Sequence, residues 1–160
     1  MHLDKEKLKN FEKLPADVRR QFSLMVNQWK DKKKGTQVTS DFLTFVKHVW
    51  PDFIEGSHHK RIADKFNKLA EGKIKRLIIN MPPRHTKSEF ASYLLPAWMV
   101  GKNPKLKIIQ STNTTELSVR FGRKAKGLID SPEYQQFFKT RLKEDSQAAG
   151  KWETQQGGEY

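Results

Sequence analysis

Arg84, Lys87 and Ser88 sit together in "NMPPRHTKSEF", residues 80–90, after two prolines and before an apolar pattern at helical spacing. A lysine followed by Ser or Thr at the entry to a helix is the working end of the phosphate loop G-x-x-x-x-G-K-[ST]. At that point the helix start offers free N–H groups and the positive end of its dipole to an anion. Lys87 would reach the outer phosphates as a point charge, and Ser88 would offer its hydroxyl to Mg2+. Arg84 adds a second cation. Met81 and Thr86 stand where the two glycines belong. Glycine serves such a loop by tolerating φ > 0, whereas β-branched Thr86 resists it. By residue type the stretch reads either as a nucleotide site or as an ordinary turn with exposed cations.

The segments around it must position those groups. Residues 75–80, with Leu77, Ile78 and Ile79, form a short apolar run that predicts a strand. Residues 87–100 carry Phe90, Ala91, Leu94, Leu95, Trp98 and Met99 at helical spacing, with a break or kink expected at Pro96. "GKNPK" reads as a turn, residues 106–110 as a second strand, and "STNTTE" as a loop into a helix through Leu117, Phe121 and Leu128. Strand–loop–helix repeated twice predicts an α/β fold, a parallel sheet flanked by helices. Upstream, Thr39-Ser40-Asp41 starts a short helix broken at Trp50-Pro51, and His58 opens another that closes at Glu71-Gly72. Residues 1–38 read as an N-terminal helical segment in two pieces divided at Leu14-Pro15, with the cationic run before Gly35 as a helix end.

The composition narrows the classes. In 160 residues, 31 Lys+Arg against 18 Asp+Glu give a formal charge of +13 and a pI near 9.9, which favours a polyanionic partner. Cysteine is absent, which excludes disulfides, thiolate metal sites and cysteine nucleophiles. No signal core and no membrane-length apolar run occur, so the expectation is a soluble intracellular protein. Hydrophobic residues make up 36% and mean hydropathy is −0.80, low for a chain that must bury both faces of a sheet.

The wider stretch adds a resemblance. "FLTFVKHVWPDFIEGSHHKRIADKF", the Pro-Pro-Arg-His-x-Lys-Ser loop, Leu95-Pro96-Ala97-Trp98, Gly101-Lys102-Asn103-Pro104, "FGRKAKGLIDSPEYQQFF" and "WETQQGGEY" occur in order. Together they resemble the N-terminal ATPase part of tailed-phage terminase large subunits, over about residues 40–160. The resemblance implies an ASCE-type P-loop NTPase over residues 39–160, cut before its Walker B strand. It implies ATP and Mg2+ as cofactors, with Pro83, Arg84, His85, Thr86, Lys87, Ser88 and Glu89 around the phosphates and Ser88 on the metal. Arg84 and Lys87 would be the catalytic cations, and Phe53 and His58 would lie near the base, with Trp50. Arg120, Arg123 and Lys124 are candidates for DNA or subunit contact. In such a motor the partners are double-stranded DNA, a portal protein, a small terminase subunit and further copies of the chain, in the host cell cytoplasm and without a membrane.

The same resemblance implies what this stretch lacks. The apolar strand ending in a carboxylate pair, which would hold Mg2+ and orient water, would follow the "GGEY" element, as would a nuclease domain. Asp130 reads as a post-helix loop residue and Asp145 as part of the polar stretch "LKEDSQAAGK"; neither replaces that pair. The expectation is therefore a nucleotide-binding piece that is inactive alone. Two other readings are a helicase-like ATPase and a basic DNA-binding adaptor whose Lys-Ser turn is incidental.

Overall fold

In a computed structural model, which describes residues 14–160, helix α1 (Ala16–Ser40) begins directly after Pro15. It runs through Gly35 rather than ending there, because an isolated helical glycine costs only about 1 kcal/mol. The first of the two pieces expected in residues 1–38 lies outside the described residues. Two compact units divide at Thr36/Gln37, and the second, Gln37–Tyr160, carries everything that follows.

Asp41 shows how the sequence sets the next two helices. As N-cap of α2 (Phe42–Val49), its Oδ2 accepts from the Thr44 N–H at 2.8 Å and from the Thr44 hydroxyl at 2.6 Å. Its Oδ1 accepts from the Asn67 amide of α3 (Ser57–Ala70), whose own carbonyl oxygen accepts the Phe42 N–H. Burial raises the Asp41 carboxyl, but the bonds from Thr44 and Asn67 and the nearby Lys47 outweigh it and hold its pKa below the ordinary carboxylate value. One side chain thus starts α2 and locks it to α3. Gly72, at φ 73, turns the chain out of α3.

The core gathers around Phe42, which meets Phe66, Phe90 and Trp98 edge-on at centroid distances of 5.1, 5.4 and 5.5 Å. Phe90 and Trp98 come from one continuous helical run. Its first part, Glu89–Leu94, is a π-helix, and α4 (Leu95–Lys102) follows. The Leu95 N–H bonds back to Phe90 across the wider turn. This spacing takes Pro96, with no N–H and a bulky ring, into the run without the expected break. Helix α5 (Thr115–Ile129), capped by Thr114, and the short α6 (Pro132–Gln135) complete the helical part.

The expected parallel sheet of a P-loop NTPase is not formed, and that fold class is corrected. Among the described residues the chain is mostly helical, with one two-stranded antiparallel sheet, β1 (Leu142–Ala148) against β2 (Lys151–Thr154). Residues 75–80 join no ladder, and residues 106–110 make a single parallel bridge, Lys107 to Glu159. Leu77, Ile79 and Ile108 pack against the core, while Ile78 and Ile109 are 86% and 98% exposed. Apolar alternation gives an extended segment one buried face, but a sheet exists only where a second backbone takes the N–H and C=O groups. The same gap hid the hairpin: "LKEDSQA" is too polar to read as a strand, yet it pairs with β2.

The hairpin explains the residue types of "WETQQGGEY". Trp152 stacks flat on Tyr160 at 4.8 Å and donates its indole N–H to the Gly122 carbonyl of α5. The Thr154 hydroxyl donates to the Pro104 carbonyl and accepts the Gly158 N–H. Gly157 has φ 90, and Gly158 lies so close to residues 104–106 that a Cβ would stand 2.4 Å from the Pro104 oxygen. Among the described residues no helix is long and apolar enough to cross a membrane. Replacing Gly158 by alanine should lower unfolding stability by about 1–3 kcal/mol, because the neighbouring atoms are backbone. Urea denaturation measures this; an unchanged midpoint would show that the two backbones separate freely.

Candidate functional site

The loop between residue 80 and the π-helix is shaped by backbone strain. Arg84 has φ 63 and Thr86 φ 59, the two positive values outside glycine among the described residues. A left-handed conformation costs an L-residue about 1–2 kcal/mol, more for a β-branched one. Thr86 therefore adopts the geometry a glycine would supply, against its own preference. Left-handed residues at alternate positions turn successive N–H groups toward one concave side, an anion-binding arrangement. Among the described residues, no turn, loop or cap hydrogen bond is donated by the backbone N–H groups of residues 84–88. The Thr86 carbonyl accepts from Phe90 and so opens the helical run directly behind the loop. Residues 82–89 line a hollow of about 320 Å3, at the small end of ligand sites.

The charged groups sort cleanly. Arg84 and Lys87 are exposed and have no ion-pair partner among the described residues; Ser88 is exposed beside them. Glu89 is engaged, since Lys124 of α5 reaches both its oxygens at 2.9 and 2.8 Å. The Lys124 ammonium also lies 5.3 Å from the centre of the Tyr93 ring. Burial, then the Glu89 charge, raises the Tyr93 phenol. Of the three cations considered for DNA or subunit contact, Arg120 and Arg123 are exposed and Lys124 turns to Glu89. No cluster of three metal-ligating His, Cys, Asp or Glu side chains forms among the described residues. Ser88 is left as a single candidate oxygen ligand.

The expected base site divides. Phe53 packs at 4.7 Å from the His59 ring and 5.5 Å from Phe90, a core position. His58 stays beside the loop, its ring 5.8 Å from His85, and the His85 Nδ1 lies 2.9 Å from the Pro83 carbonyl. Trp50, not Phe53, borders a second hollow, of about 440 Å3, that shares Glu89 with the loop.

Sequence reasoning missed His59. It is 5% exposed, and its Nε2 lies 2.7 Å from the Thr86 hydroxyl. Its Nδ1 accepts the Gly56 N–H at 2.8 Å, and the Thr86 hydroxyl donates to the His85 carbonyl at 2.6 Å. With Nδ1 accepting and the hydroxyl proton spent elsewhere, the ring is the neutral tautomer carrying its proton on Nε2. Burial, reinforced by His58 and His85 and opposed by Glu55, pushes its pKa below the ordinary 6.5. The doubled His58-His59 after Gly56 was the available signal, but spacing gives no hint which ring turns inward.

No family model, no curated protein and no solved structure matches this chain. The terminase resemblance accordingly rests on its motifs.

A depressed folded-state pKa means the unfolded chain binds the proton first. The His59 contribution to stability is therefore complete above the ordinary histidine value of 6.5 and is lost as pH falls through the folded value. Denaturation midpoints followed across that range should fall for the wild type and fall less for His59→Gln. Equal slopes would contradict the neutral buried imidazole.

Proposed function

We propose that the loop at residues 82–89 binds the β- and γ-phosphates of ATP, and that the chain is the ATP-binding part of a terminase-type large subunit that packages viral double-stranded DNA. The observation carrying the first half is one loop with two left-handed residues, Arg84 and Thr86, on which Arg84 and Lys87 have no ion-pair partner among the described residues. Lys87 neutralises the outer phosphates, and Arg84 acts as a second cation on the γ-phosphate. Ser88 would offer its hydroxyl to a magnesium ion bound with the nucleotide, whose role would be to neutralise phosphate charge. The second half is supported by the ordered motifs over residues 40–160 and by the net charge of +13. The partners of that role are DNA, a portal protein, a small subunit and further copies of the chain, in the host cytoplasm.

Hydrolysis needs a carboxylate to help hold magnesium and a group to orient water. Among the described residues Glu89 is the one carboxylate on the loop's hollow, and Lys124 neutralises it. Binding without appreciable turnover is therefore the expected behaviour of this chain. The net charge also favours a second reading, a basic DNA-binding adaptor, in which DNA affinity falls steeply with salt and ignores ATP.

Titration with a fluorescent ATP analogue should give saturable binding, weakened roughly tenfold or more in Lys87→Ala by loss of a charge-assisted contact. Identical affinities in the two proteins would remove the site. Turnover at motor-like rates would show that a catalytic carboxylate is present after all.

A further inference from the structure

The hydrogen-bond chain at Thr86 supports a step that rests on the phosphate-binding reading. We propose that His59 is a positioning residue that stands in for the loop's missing glycine, holding Thr86 left-handed so that the loop is formed before phosphate arrives.

Three bonds define the device. The Gly56 N–H fixes the ring through Nδ1, the ring's Nε2–H holds the Thr86 hydroxyl, and that hydroxyl's proton is anchored on the His85 carbonyl. Thr86 Oγ1 is thus fixed from two directions. Rotating Thr86 to negative φ would swing its Cβ and break both contacts. A buried ring gripped between Phe53 and Phe90 cannot follow the hydroxyl outward. A strained residue persists only where its surroundings over-determine it, and these contacts do so. A purely structural core histidine would account for the burial, but not for a ring proton directed at the one β-branched residue with positive φ.

The 160-residue chain can be tested with two readouts, affinity for a fluorescent ATP analogue and the NMR coupling that reports φ at position 86. Thr86→Val keeps the side-chain shape, removes the hydroxyl and leaves the core intact. It should relax φ toward negative values and weaken binding roughly tenfold, the scale of the left-handed penalty. His59→Ala should do the same, whereas His59→Gln, which retains an N–H near the Nε2 position, should keep most of the affinity. Adding Thr86→Gly to His59→Ala should restore affinity while thermal stability stays lowered, because glycine needs no support at positive φ. Unchanged φ and affinity in Thr86→Val, or failure of Thr86→Gly to restore binding, would overturn the proposal. If the wild type binds no nucleotide, the phosphate reading fails. The coupling then still decides, since a left-handed φ that relaxes in Thr86→Val upholds the latch and an unmoved one ends it.

Discussion

One contact, from the buried His59 ring to the Thr86 hydroxyl, ties the loop to the rest of the molecule. A threonine at positive φ opposes its own side chain and needs outside support. That support descends from the core. His59 is held by the N-terminus of α3 and by Phe53 and Phe90, and Phe90 packs on Phe42. Phe42 is in turn fixed by the Asp41–Asn67 bonds that join α2 to α3. The exposed loop therefore inherits its shape from aromatic packing beneath it.

Charge is arranged to match. Lys47 and Lys60 are occupied by Glu55, and Lys124 by Glu89. Arg84 and Lys87, which line the loop's hollow, stay without an ion pair among the described residues. Under the proposed function this gives an anion site that is ready before the ligand, with little reorganisation on binding. Under the same proposed function, the Lys124–Glu89 pair would let binding occur without hydrolysis.

Local chemistry was legible where one residue decides the outcome. A helix start at Thr39-Ser40-Asp41, Trp50-Pro51 as a break, Gly72 as a helix end and the Lys-Ser loop before a helix could all be read directly, because each depends on a side chain's own bonding or dihedral preference. What depends on a distant partner could not. Residues 75–80 and 106–110 have the alternation of strands but not the neighbour that would make them a sheet, and the polar 142–148 segment acquires one from β2. At Pro96, where a kink or a break is the local expectation, a π-turn carries the helical run through without a break. Thr86 counted against the loop for a sound reason, its aversion to positive φ. The counterweight, a histidine twenty-seven residues earlier, has no trace in local sequence.

The most direct measurement of whether this loop is an anion cradle is an amide NMR titration of the chain with pyrophosphate, which carries the phosphates without base or sugar. An anion cradle gives saturable shifts concentrated on the N–H groups of residues 84–88, with no change in the hairpin at residues 142–154. Shifts spread evenly over the lysine-rich surface, with none selective for the loop, would contradict it.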